Sequence, residues 1–229
     1  MAKLNFILDL DQTIISAYKI DKEGKNLIDD SNENKLEPIE KFTKSDNSDH
    51  LILGDNSYFV KARPGLQNFL NFLFKNFEVS VWTAASKEYA KEIIKHFILK
   101  PNKHRKIKCV LWLEHCQQSA PKQKNYVIKN LQFLNSLNDK KNIFTPENTI
   151  LLDDGEHHCN YNDDNYNKNH IILAEPFFFI QNGTLNQEDH FLNDLEINLK
   201  NILKNKKNAE TIVKELKKNK NNQTIVKKL

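Results

Sequence analysis

Asp9 and Asp11 stand two residues apart at the end of the apolar run Leu4-Asn5-Phe6-Ile7-Leu8, and Thr13 follows two further on. The run is long enough for one strand and too short for an independent helix. Its near-continuous apolar character fits a strand buried on both faces of a parallel sheet. Strand side chains repeat every second residue, so the two acids face the same way. Like charges roughly 7 Å apart repel unless a cation lies near them or one is protonated. Hard carboxylate oxygens in such a pair favour Mg2+. A solvated Asp-rich turn would carry the same residues, and this stretch alone does not separate the two.

Two further expected strand ends carry chemistry. Residues 77–82 read as a strand followed directly by Thr83, and Ser86 can cap the next helix. That places a hydroxyl beside a helix N-terminus, where free amides and the dipole attract anions. Residues 148–152 form a third apolar run, ending in Asp153-Asp154. Strands that alternate with helical patterns predict a parallel sheet with helices on both faces. Ligands bind beyond the carboxyl ends of such strands. Four carboxylates and a hydroxyl converging there call for a divalent cation and suit a phosphate. A carboxylate can attack phosphorus to form an acyl phosphate, and a second carboxyl can protonate the leaving alkoxide and later deprotonate water. A lysine would help offset charge on the phosphoryl oxygens.

The elements that must position these groups follow in order. Residues 14–57 are rich in Asp, Asn, Lys, Glu and Ser and read as loop with at most one hairpin, turning at Asp21 to Gly24. Pro64 suits a first helical turn, after which Leu66, Phe69, Leu70 and Leu73 recur at helical spacing. Ala90, Ile93, Ile94 and Phe97 give the next helix its buried stripe. Residues 109–113 form a plausible strand, and a helix over 125–137 places Lys129 near its middle. A short strand over 170–173 and an amphipathic helix from about Asn186 complete the body.

At 229 residues, 39% hydrophobic and 28% charged, the chain is sized for one elaborated globular domain. The net charge of +4 is uneven: the segment from Lys200 to Leu229 carries +8, leaving −4 for the rest. Such a run is usually solvated surface, although it could contact nucleic acid. No apolar run reaches membrane-spanning length, and a strand from residue 4 leaves no room for a signal peptide. An intracellular location, nuclear or cytoplasmic, is expected. Cys109, Cys116 and Cys159, with His115, His157 and His158, lack zinc-ligand spacing.

Asp9-Leu10-Asp11-Gln12-Thr13 resembles the first motif of the haloacid dehalogenase superfamily. Val60-Lys61-Ala62-Arg63-Pro64-Gly65 and Val81-Trp82-Thr83-Ala84-Ala85-Ser86-Lys87-Glu88-Tyr89-Ala90 resemble its branch of RNA polymerase II carboxy-terminal-domain phosphatases, the NLI-interacting-factor-like domain. Ile150-Leu151-Leu152-Asp153-Asp154 is similar to the last motif. The resemblance implies a Rossmann-like α/β fold with small loop or β insertions and no large cap domain. A phosphatase domain over 1–203 would then precede a frayed or disordered tail, 204–229. It also implies a Mg2+-dependent phosphoserine/phosphothreonine phosphatase acting on a phosphoprotein such as the tail of the largest RNA polymerase II polypeptide.

Under that resemblance Asp9 is the nucleophile and Asp11 the general acid/base, with Thr83 and Ala84 contacting phosphate. Asp9, the Asp11 backbone carbonyl and Asp154 hold the metal, with Asp153 in support. Lys129, in Lys129-Asn130-Leu131, best resembles the family's lysine-acid-leucine pattern, although it stands further from Asp153 in sequence than in compact members; Lys122 and Lys124 are the other candidates. Gly155 and Glu156 replace the Ser-Pro that usually follows the last acids. Two rival classes stay open: a phosphatase for small molecules or nucleic-acid ends, and a catalytically idle interaction module.

Overall fold

The computed structural model describes residues 3–28, 35–39, 49–53, 57–119, 127–136, 143–145, 147–155, 169–181, 184–186, 188–204 and 208–226. In chain order the strands are β1 (Asn5–Leu8), β2 (Ile15–Ile20), β3 (Asn26–Ile28), β4 (Lys35–Pro38), β5 (His50–Leu53) and β6 (Tyr58–Ala62). There follow β7 (Glu78–Trp82), β8 (Val110–Leu111), β9 (Thr149–Asp153), β10 (Ile171–Leu173), β11 (Ile180–Gln181) and β12 (Thr184–Leu185). The helices are α1 (Leu66–Asn76), α2 (Lys87–Ile93, continued as a π-helix over Ile94–Leu99), α3 (Leu113–Ser119), α4 (Leu131–Ser136), α5 (Phe191–Leu203) and α6 (Ala209–Val226).

The central sheet has the order β10-β9-β1-β7-β8 with every pairing parallel. Its middle strand is buried on both faces, as its apolar run predicts. Phe6 and Leu8 point into one core with Phe69, Leu70, Ala90, Ile93 and Leu199, while Ile7 joins Trp82, Leu111, Leu131 and Phe144 on the other side. Truncating a buried ring such as Phe6 to Ala would cost about 3–5 kcal/mol. Leu8 is level with Val81 and with Leu152, so chain leaving β1, β7 and β9 emerges along one edge.

A second, antiparallel sheet of order β4-β3-β2-β6-β5 grows out of the segment read as loop. Its pairing depends on β6, which lies far from β2 in sequence and pairs Ile15 with Ala62 and Lys19 with Tyr58. The Asp21–Gly24 turn is present, Gly24 N–H donating to the Asp21 carbonyl at 2.8 Å.

Several boundaries differ from the sequence expectation. Pro64 lies outside α1; Gly65 stands at the N-cap with φ +79°, a left-handed conformation suited to glycine. Lys129 precedes α4 instead of sitting mid-helix. Asn130 caps that helix, its side chain accepting from Gln132 N–H at 2.9 Å and its carbonyl from Phe133 N–H at 3.0 Å. The helix expected from Asn186 starts at Phe191. Within the segment expected as a tail, α6 has Ala209, Ile212 and Val213 buried in the main core, so the start of that helix is packed against the body.

Candidate active site

Three parallel strands deliver the site. Asp9 follows β1 directly, and its N–H donates to the Leu152 carbonyl at 3.0 Å, locking it beside the end of β9. Asp153 is the last residue of β9 and Asp154 the next. Carboxylate oxygens of Asp9, Asp153 and Asp154 lie within 4.8 Å of one another. Into this group runs Lys129, whose Nζ donates to Asp9 Oδ1 at 2.5 Å and to Asp153 Oδ2 at 2.6 Å. Gly155 N–H donates to the other Asp153 oxygen at 2.8 Å. Both Asp153 oxygens are therefore engaged.

Thr13, four residues after Asp9, stitches the two strand ends together. Its hydroxyl donates to Asp9 Oδ2 at 2.8 Å and accepts from Asp154 N–H at 3.1 Å. Asp9 is thus hydrogen-bonded at both oxygens. The turn carrying Thr13 is itself clamped: Gln12 has φ 58°, and its carbonyl accepts from Phe177 N–H at 2.6 Å. Buried Arg63 donates to the Thr13 carbonyl at 2.9 Å and makes a forked pair with Asp189 at 2.9 and 2.8 Å, its guanidinium lying over the Phe191 ring. This fork holds the turn after Asp9 against the start of α5.

Asp11 does not join the clustered carboxylates through its side chain. Its Oδ1 accepts from the Tyr89 hydroxyl at 2.6 Å. Thr83 is buried at the end of β7; its N–H donates to Leu111, its carbonyl accepts from the Cys116 thiol, and its Oγ1 accepts from Ala85 N–H at 3.1 Å. The hydroxyl proton of Thr83 remains able to donate, and partly exposed Ala84 lies in the same turn. Ser86 caps α2 as expected, accepting from Tyr89 N–H. Lys122, Lys124, His157, His158 and Cys159 lie outside the described residues.

Burial dominates the electrostatics. It raises Asp9 to about 7, against the opposing pull of Lys129 and with the Asp153 charge adding to the rise. Asp11 is raised by burial, the Tyr89 hydrogen bond partly offsetting it. Asp154 is raised by burial and by its neighbour Asp153. Burial works against the charge of Lys129, but Asp153 and Asp9 outweigh it and raise this amine above its ordinary value. Three clustered acids surround one ammonium that pairs with two of them, and hard oxygens in that excess fit a small divalent cation. Burial pushes the Cys116 thiol up to about 11, leaving it an inert packing group at neutral pH.

Thr13, Arg63 and Tyr89 carry no assignment from sequence alone. Thr13 and Tyr89 sit at fixed short offsets from Asp9 and Thr83, but only the folded turn and helix show what they touch. Arg63 is bound to a residue 126 positions away, and no local pattern marks that.

A parallel sheet with clustered acids, a buried lysine and a hydroxyl at its carboxyl edge is the setting expected of a haloacid dehalogenase-like phosphatase. The model of the NLI interacting factor-like phosphatases matches residues 4–210, and the chain belongs to that family. It is 38% identical over 187 residues to the CTD phosphatase-like protein 355R of Invertebrate iridescent virus 6, covering 79% of this chain and 89% of that one. A shorter match, 34% over 95 residues, links 41% of this chain to 13% of an RNA polymerase II C-terminal domain phosphatase of Schizosaccharomyces pombe. The solved structure of Fcp1, an essential RNA polymerase II CTD phosphatase, shares the fold with a TM-score of 0.52 and 19% identity. That comparison covers 87% of this chain and spans 62% of the other. Among the described residues no helix is long and apolar enough to cross a membrane.

Proposed function

We propose that the chain is a Mg2+-dependent phosphoserine/phosphothreonine phosphatase that forms an aspartyl phosphate on Asp9. Its substrate would be a phosphopeptide of the RNA polymerase II C-terminal-domain kind. One observation carries the reading: Asp9 is buried at the sheet edge with Lys129 on one carboxylate oxygen and Thr13 on the other. A carboxylate so fixed loses little freedom on reaching an in-line phosphorus. The names of the relatives support the substrate class, and a nuclear or cytoplasmic site of action goes with that reading.

Asp9, Asp154 and the Asp11 backbone carbonyl would hold the cation, with Asp153 in support. When bound, the cation supplies positive charge that offsets the phosphoryl oxygens. Asp9 attacks phosphorus while Asp11, protonated, passes its proton to the departing serine oxygen. Thr83 and Ala84 hold a phosphoryl oxygen, and Lys129 neutralises charge beside Asp9. Asp11, now a carboxylate, then takes a proton from water as that water attacks phosphorus and releases Asp9.

Turnover of phosphoserine repeat peptides, nucleotides and 3′-phosphorylated DNA, with and without Mg2+, tests this against an Asp9→Asn variant. Preference for the peptides, dependent on metal and on Asp9, is expected. Turnover no greater than that of the variant would sink the enzymatic mechanism, and preference for nucleotides or DNA ends would sink the substrate class.

A further inference from the structure

Tyr89 is placed where an acid–base residue needs a second hand. It lies in the first turn of α2, six residues after Thr83, and its backbone N–H is held by the Ser86 cap. Its phenol donates to Asp11 Oδ1 at 2.6 Å. The ring is fixed from the other side by Tyr58 on β6, edge to face at 6.5 Å. The antiparallel sheet thus buttresses the helix that follows the Thr83 turn, and that helix holds the Asp11 carboxyl.

A carboxylic acid that donates to a leaving group has one oxygen carrying the proton and one acting as a carbonyl acceptor. A phenol donating to Oδ1 makes Oδ1 the acceptor and leaves Oδ2 to carry the proton. Without that partner the proton can sit on either oxygen, and the carboxyl can rotate about its own bond. We propose that Tyr89 is a positioning residue for proton transfer, selecting Oδ2 of Asp11 as the oxygen that protonates the leaving group. This rests on the acid–base role given to Asp11 above. The step balances: the Asp9 carboxylate forms its bond to phosphorus, the serine oxygen–phosphorus bond breaks, and that oxygen receives the Oδ2 proton. In the return step Oδ2 takes a proton from water as the water oxygen bonds to phosphorus and the Asp9 bond breaks.

The consequence is a dependence on leaving group. A serine alkoxide must be protonated as it departs, whereas p-nitrophenolate leaves without help. The measurement is kcat/KM, which covers departure of the leaving group, for a phosphoserine peptide and a series of aryl phosphates ending in p-nitrophenyl phosphate. Wild type, Tyr89→Phe and Asp11→Asn are compared. Tyr89→Phe keeps the ring and its packing on Tyr58 and removes only the hydroxyl. General acid assistance contributes roughly 100- to 10,000-fold. A misaligned acid should therefore lower kcat/KM for the phosphopeptide by about 10- to 100-fold. For p-nitrophenyl phosphate the change should stay within about threefold, and Asp11→Asn should show the same pattern more strongly. A Tyr89→Phe loss equal for all leaving groups, or no loss, while Asp11→Asn keeps its selectivity, would overturn the proposal alone. Absence of leaving-group selectivity in Asp11→Asn would overturn the acid role on which it rests.

Discussion

Replacing Lys129 by Met asks whether the site is held together by its buried ammonium. Lys129 Nζ lies 2.5 Å from Asp9 and 2.6 Å from Asp153, and none of the three residues is more than 4% exposed. Met preserves the apolar stem and removes the charge, so two buried carboxylates lose a partner. Breaking such a pair from one side costs about 3–5 kcal/mol. That is a large share of a domain's total of about 5–15 kcal/mol. The sign of the pH dependence follows from the same contacts. Burial already raises Asp9 from 3.8 to about 7, with Lys129 opposing the rise, so the substitution moves it higher still. A group whose folded value lies above its unfolded value binds more protons when folded. Its stabilising contribution is complete below the unfolded value and is lost as pH climbs through the folded one. Urea unfolding without divalent ions should therefore show a larger loss near pH 8 than near pH 5. A loss below about 1 kcal/mol at the higher pH, or one that shrinks as pH rises, would refute the reasoning.

Three other outcomes follow from particular contacts. Gly65→Ala should destabilise by about 1–2 kcal/mol from its positive φ alone, and a Cβ there also meets Asn193 Oδ1; an unchanged melting temperature would count against this. Arg63→Met removes the fork to Asp189 and the bond to the Thr13 carbonyl, for an expected loss of about 3–5 kcal/mol. Arg63→Lys should recover only part of it, because an ammonium cannot make the fork; full recovery in a denaturant titration would contradict that. Mg2+ should raise the melting temperature more at pH 8 than at pH 6, since protons compete for Asp9 below about 7. Asp154→Asn should weaken the shift; an equal shift at both pH values, or in the variant, would be the contrary result.

The strand ends were legible because each pairs a short apolar run with a polar terminus. Asp9, Asp11, Thr83, Asp153 and Asp154 all emerge at the edge that this pattern predicts. Lys129 is marked by its motif, but its setting is not what the local periodicity suggests. Val127, Leu131 and Leu134 repeat at helical spacing, whereas Asn130 is a strong N-cap and delays the helix until after the lysine. The second sheet was hidden for another reason: β2 is stabilised by β6 across a long polar insert, and pairing at that distance leaves little local trace. The Lys-rich composition after Lys200 likewise masked Ala209, Ile212 and Val213, whose one-sided apolar spacing buries the start of α6.

The central claim is covalent, and one measurement addresses it directly. Enzyme turning over a phosphoserine peptide is quenched with borohydride, which reduces an acyl phosphate to an alcohol, and is mapped by peptide mass spectrometry. Homoserine at position 9, absent from Asp9→Asn and from enzyme without substrate, is predicted. An unmodified Asp9 in enzyme caught during active turnover, or reduction at Asp11, Asp153 or Asp154 instead, would contradict the account.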